Sequence, residues 1–100
     1  MARYVISPLA EQDMGAIGDY IAQDNPHRAL TFITELRRQC AKIASSPKAC
    51  RARPELGKNI RSYAFGNYVI FFQDNSEVLC IVRVLHGAMD IDARFAEDQK

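Results

Sequence analysis

The apolar residues of this chain change period once, near residue 60. Before that point they recur at helical spacing. Ala10, Met14, Ile17 and Ile21 follow at intervals of four, three and four, which is one helical stripe. Ahead of them Tyr4-Val5-Ile6 reads as a short strand stopped by Ser7-Pro8. Ser7 suits the N-cap and Pro8 the first helical position, where no N–H is needed. Glu11 and Asp13 fall near the positive end of that helix. Asn25-Pro26 repeats the punctuation and opens a second stripe, Ala29, Phe32, Ile33, Leu36, Cys40 and Ile43, that runs out at Ser45-Ser46-Pro47. So short a link predicts an antiparallel helical hairpin. Gly15 and Gly18 sit inside the first helix, where each costs about 1 kcal/mol relative to Ala. Close approach of the neighbouring helix is their expected use.

Residues 47–59 are rich in Pro, Gly and cations and read as a loop. The period then becomes two. Ile60 to Phe65 is a strand, Gly66-Asn67 a two-residue hairpin turn, Tyr68 to Gln73 the return strand, and Val78 to Leu85 a third strand after the turn Asp74-Asn75-Ser76-Glu77. Asp90 reads as the cap of a short C-terminal helix, Ile91 to Glu97. The expected fold class is α+β. An N-terminal strand and a helical hairpin pack on a mainly antiparallel sheet that ends in a three-stranded meander, all in a single domain spanning residues 1–100.

The third strand carries apolar residues on both sides. Strict alternation places Val78, Cys80, Val82, Val84 and His86 on one face and Leu79, Ile81, Arg83 and Leu85 on the other. The return strand splits likewise into Val69 and Phe71 against Tyr68, Ile70 and Phe72. A helical hairpin covers one face, and a sheet apolar on both wants a second cover. The expectation drawn from this is an exposed apolar groove around Leu79, Ile81, Arg83 and Leu85, fit for a protein partner. The alternative is that loop 47–59 and the tail fold over that face.

Charge sharpens the picture where composition does not. The 100 residues carry a net charge of +1. Residues 37–61, however, hold Arg37, Arg38, Lys42, Lys48, Arg51, Arg53, Lys58 and Arg61 against Glu55 alone, a +7 segment between two segments of −3. Such a field attracts acidic partners, either nucleic acid or an acidic protein segment. Arg37, Arg38 and Lys42 also suit the solvated face and last turn of a helix. The three cysteines, Cys40, Cys50 and Cys80, form no CxxC pair and no zinc spacing with His27 or His86, so no metal or cofactor is expected. Cys40 and Cys80 read as small core residues and Cys50 as a free, exposed loop thiol. No apolar run approaches the ~20 residues that span a bilayer, and no signal-peptide core follows Met1. The expected location is the cytoplasm.

Catalytic candidates are few. His86, at a strand end before Gly87, is the best of them, and its plainer reading is a residue that fixes the turn into the tail. No nucleophile elbow, P-loop, HExxH or Rossmann glycine pattern is present. Arg61 and Arg83 suit either a phosphate or the carboxylates of a partner.

Several words of the sequence recur together in one known family. Ser-Pro-Leu-Ala-Glu-Gln-Asp-Met opens the first helix, and Tyr20-Ile21 through Asn25-Pro26 closes it. Arg53-Pro54-Glu55-Leu56 precedes Ile60-Arg61-Ser62 and Gly66-Asn67-Tyr68-Val69-Ile70-Phe71-Phe72. Ile81-Val82-Arg83-Val84-Leu85-His86-Gly87-Ala88-Met89-Asp90 completes the set. In order and spacing these resemble the ParE branch of the RelE/ParE toxin superfamily over almost the whole chain. Many ParE-like sequences have Arg where Met89 stands, and others have Met followed by Asp, as here, so the departure is mild. The resemblance implies the toxin of a type II toxin–antitoxin pair, which inhibits DNA gyrase by binding and is neutralised by a ParD-like antitoxin in a 2:2 or larger assembly. No enzymatic chemistry, membrane or direct nucleic-acid contact is then expected. The antitoxin's amphipathic segment would fold on binding. Its expected contacts are Arg61, Tyr68, Ile70, Phe72, Leu79, Ile81, Arg83 and Leu85. Arg51, Arg53 and Lys58 of the basic loop, and Met89, Asp90, Arg94 and Phe95 of the tail, are the expected contacts to the target. The alternatives are an inactive member or a RelE-like, ribosome-dependent mRNA endonuclease. The latter needs titratable groups on the 2′-hydroxyl or leaving oxygen, and only His86 offers one.

Overall fold

Both helix starts form as the punctuation predicts. In the computed structural model, which describes residues 3–75 and 77–87, α1 spans Pro8–Ala22 and α2 spans Pro26–Ser45. Ser7 Oγ accepts from Ala10 N–H at 3.0 Å, and Asn25 Oδ1 accepts from Arg28 N–H at 3.0 Å. Each cap is worth about 1 kcal/mol. The three-residue link reverses the chain, and α1 packs along α2. Gly18 faces α2, but the approach does not require glycine there, since a Cβ would lie 3.5 Å from Ile33 Cγ1, an ordinary van der Waals contact. Gly15 has no such role either, because a Cβ there would meet nothing within 4 Å.

Five strands form one mixed sheet in the order β1-β5-β4-β3-β2. These are β1 Tyr4–Ile6, β2 Arg51–Ala52, β3 Ile60–Phe65, β4 Tyr68–Asp74 and β5 Leu79–His86. The expected meander is β3-β4-β5, and β1 joins its β5 edge in parallel, Tyr4 opposite Leu79 and Ile6 opposite Ile81. The β3–β4 turn places Gly66 at φ 60°, the conformation that glycine supplies at the first central position of a tight hairpin. The segment 47–59 is more ordered than a loop. It contains 3-10 turns at Pro47–Ala49 and Pro54–Leu56, and β2 between them pairs antiparallel with β3. The third meander strand begins at Leu79, one residue later than alternation suggests. The expected C-terminal helix lies outside the described residues.

The main core sits between the hairpin and one face of the sheet. Met14 and Ile17 of α1 and Phe32, Leu36, Cys40 and Ile43 of α2 meet Ile70, Phe72, Leu79, Ile81 and Val84. A second, smaller cluster on the opposite face joins Phe71 and Leu85 to Ile60 and to Leu56 of the 3-10 turn, with Val69 and Val82 packed against it.

This division corrects the expected faces of β5. Phe71 lies opposite Arg83 and Phe72 opposite Ile81, so Val82 has no opposite residue on β4. One extra residue makes a β-bulge, and a bulge shifts the alternation of everything beyond it. Leu79 and Ile81 therefore face the helices before the bulge, and Val84 faces them after it. Leu85 turns to the second face.

Candidate functional site

The expected apolar groove does not form. Ile70, Phe72 and Ile81 have no exposed surface, and Leu79 retains 4%. All four lie beneath the helices, because the face assigned to a partner is the face the hairpin covers. Leu85, at 3% exposure, belongs to the cluster under Leu56. The covering loop, and not an open groove, resolves the two-faced strand. Tyr68 is half-buried, 5.7 Å centroid to centroid from Phe32.

Arg83 is also withdrawn from the surface. Its Nε donates to Asp13 Oδ2 and its Nη2 to Asp13 Oδ1, each at 2.8 Å. The pair is nearly buried, with side-chain exposures of 11% and 12%. Asp13 Oδ2 additionally accepts the Val84 N–H at 2.9 Å. Since β1 pairs with β5 only as far as Ile81, Asp13 takes over the edge of β5 where β1 has ended. Ser7 helps, its hydroxyl donating to the Val82 carbonyl at 3.0 Å.

The basic segment divides into structural and exposed cations. Arg61 donates to the Cys50 carbonyl at 2.8 Å and ties β3 to the end of the first 3-10 turn. Arg53 bonds Glu55 at 2.7 Å and lies 5.7 Å from the Phe71 ring centroid, shielding the second cluster. That hydrogen bond from Arg53 holds the Glu55 carboxyl below its ordinary range. Arg37 bridges to Glu11 at 3.0 Å across the hairpin. Lys48, Arg51 and Lys58 are exposed. Lys48, Lys58 and Arg61 border an open cleft of about 710 Å³ at the β2 end of the sheet, with Ala52, Asn59 and Asp74 also lining it.

A second depression runs between the helices on their outer side. It encloses about 560 Å³ and is lined by Gly18, Ala22, Pro26, Ala29, Leu30 and Ile33, with Arg37 at its margin. Leu30 is 72% exposed, and Tyr20, elsewhere on the hairpin, is 67% exposed. The sequence carried a signal for both: each is a large apolar residue just off its helix's core stripe.

Comparison with known proteins bears on these surfaces. The family described as the ParE toxin of the type II toxin–antitoxin system parDE matches residues 4–91. The chain belongs to the ParE toxin family. Toxin ParE1 of Mycobacterium tuberculosis, in strains CDC 1551 and H37Rv alike, is 29% identical over 93 residues, covering 91% of this chain and 95% of the relative. Among solved structures, the chromosomal ParDE system of P. aeruginosa aligns with a TM-score of 0.73 at 19% identity, over 86% of this chain and 96% of that one. The RelBE2 toxin–antitoxin complex of M. tuberculosis aligns at 0.57 and 16% identity, over 85% and 96%. Both show the same fold.

In this ParE-family toxin His86 stands opposite Tyr68 in the sheet, their rings edge to face at 5.4 Å. The described residues hold no group of three His, Cys, Asp or Glu side chains able to take a metal ion, and no helix among them is long and apolar enough to cross a membrane. Cys40 is fully buried, which pushes its thiol up to about 11. Cys50, expected as an exposed thiol, is half-buried against the main core, and burial raises its pKa as it does that of Cys80. The expected tail contacts Met89, Asp90, Arg94 and Phe95 lie outside the described residues.

Proposed function

We propose that this type II toxin acts by binding a protein target, DNA gyrase, and is neutralised by a ParD-like antitoxin in a hetero-oligomer. The observation that carries the reading is the use to which the fold puts its arginines. A nuclease of this fold class needs cations free to hold phosphate and a paired acid and base at the scissile bond. Here Arg83 is bonded to Asp13 and Arg53 to Glu55, and the exposed cations Lys48, Arg51 and Lys58 come from a segment, 48–58, whose one carboxylate is the Arg53-bound Glu55. His86 packs on Tyr68. Membership of the ParE family supports gyrase as the target, because inhibition of gyrase is the activity the family resemblance implies. The apolar depression between α1 and α2 supports an antitoxin whose amphipathic segment covers it, since exposed apolar surface of this kind favours a helix laid into a groove.

Two assays separate the readings. Purified toxin added to gyrase should block supercoiling of relaxed plasmid or trap cleaved DNA. Normal supercoiling at stoichiometric excess rejects gyrase as the target. Ribosome-dependent cleavage of mRNA that disappears in His86→Ala would establish the nuclease instead.

A further inference from the structure

We propose that the cleft at the β2 end of the sheet binds an extended acidic peptide segment of a protein partner, laid alongside β2. Three observations converge there. The first is charge. Lys48, Lys58 and Arg61 line the cleft against the single carboxylate of Asp74. Lys48 and Lys58 come from separate turns, one in Pro47–Ala49 and one just before β3, so the fold gathers cations that lie apart in sequence.

The second is an open strand edge. β2 is the last strand of the sheet. Arg53 N–H donates to the Ile60 carbonyl, and Arg51 and Ala52 lie opposite Ser62 and Arg61. Antiparallel pairs alternate between bonded and non-bonded, so the Arg53–Ile60 bond makes Ala52–Arg61 a non-bonded pair. The N–H and C=O of Ala52 then point away from β3. Ala52 is exposed and lines the cleft. A peptide can add main-chain hydrogen bonds to such an edge while pockets beside it read side chains.

The third is the character of the walls. At about 710 Å³ and open to solvent, the cleft has room for the side chains of a segment laid along it. Its lining combines the cations with Ala52, Pro54, Gly57 and Ile60 and contains no aromatic ring. Single-stranded nucleic acid is held by stacking of bases on aromatic side chains as well as by charge. The mixture of cation, aliphatic wall and strand edge suits a peptide alternating acidic and apolar residues.

The test uses the full-length protein and three fluorescein-labelled probes: a ten-residue peptide alternating Glu and Val, the same peptide with Gln for Glu, and a ten-nucleotide oligo-dT. The Glu peptide is expected to bind about tenfold or more tightly than the Gln peptide, and to shift the Ala52 amide resonance. Lys48→Glu with Lys58→Glu should weaken it about tenfold or more, since both side chains are exposed. Circular dichroism checks that the double variant keeps its fold. The proposal falls if the double variant binds the Glu peptide normally, or if the Ala52 amide does not move. It falls equally if oligo-dT binds as tightly and is lost in the same variant, which would make the cleft a nucleic-acid site. The gyrase reading survives any of these outcomes, since none of the probes measures supercoiling.

Discussion

Arg83 and Asp13 form a nearly buried, two-pronged ion pair that closes the β5 edge beyond the end of β1. The carboxylate serves two donors at once, the guanidinium and the Val84 N–H. Removing one partner of such a pair leaves a charge without compensation, at a cost of about 3–5 kcal/mol. Asp13→Ala should therefore lower stability to urea by that amount. Asp13→Ala with Arg83→Ala should cost clearly less than the two single losses added together. Strict additivity would show that the pair contributes nothing as a pair. Arg83→Glu sets two carboxylates against each other, so a fall in antitoxin affinity in that variant would report lost structure before it reported an interface.

Leu56 is the lid of the second face. It is 8% exposed and packs with Phe71, Leu85 and Ile60. Leu56→Ala should destabilise the protein by about 2–5 kcal/mol, the usual range for a truncated core aliphatic. The adjacent Gly57 should be nearly as intolerant. Its φ of 147° is a conformation that side chains rarely adopt, and a Cβ would lie 3.2 Å from Ile60 Cγ1. Thermal melts of Leu56→Ala and Gly57→Ala should both fall well below wild type. A wild-type melt for either would mean that the turn does not depend on that seat.

The elements were legible in the sequence, whereas the faces were not. Ser7-Pro8 and Asn25-Pro26 place both helix starts, and the change of period at Ile60 finds β3 to the residue, because caps, prolines and alternation act locally. The inversion of β5 at Val82 has no local signature. Val78 to Val84 is apolar throughout except at Arg83, and nothing in it marks an extra residue. Once the bulge is missed, Leu79 and Ile81 land on the wrong side and a core reads as a groove. Arg83 misled for a related reason. An arginine within an apolar strand looks like an interface residue until its partner is known, and Asp13 lies 70 positions away. β2 was hidden because two residues carry no period.

Gly15 is the inverse case, a residue for which the structure finds no use. It lies in α1 on the exposed side, and a Cβ there meets nothing within 4 Å. Gly15→Ala should stabilise the protein by up to about 1 kcal/mol, the difference in helix propensity. Gly18→Ala should gain at least as much, because its Cβ would add an ordinary van der Waals contact with Ile33 Cγ1 at 3.5 Å. A loss of stability in Gly18→Ala, measured by chemical denaturation, would show that the hairpin is too close-packed at Gly18 to take a methyl group.

Cys40 ties stability to alkaline pH. Its side chain is fully buried, and burial in the core disfavours the thiolate, moving the pKa from an ordinary 9.0 to about 11. The folded protein therefore holds this proton more tightly than the unfolded chain does. Below pH 9 both states are protonated and the contribution is complete. Between pH 9 and 11 the unfolded chain releases its proton while the fold keeps it, so stability falls with rising pH. A tenfold difference in proton affinity is worth about 1.4 kcal/mol, so the loss over that window reaches about 2–3 kcal/mol. Cys40→Ala costs packing at every pH but removes the titration. Its stability should decline less steeply from pH 9 to 11 than that of wild type. The same burial should leave Cys40 as the slowest of the three thiols to alkylate at pH 8, behind Cys50 and Cys80, each of which is only half-buried. Parallel stability curves for wild type and Cys40→Ala would show that the thiol of Cys40 does not titrate across unfolding in this range.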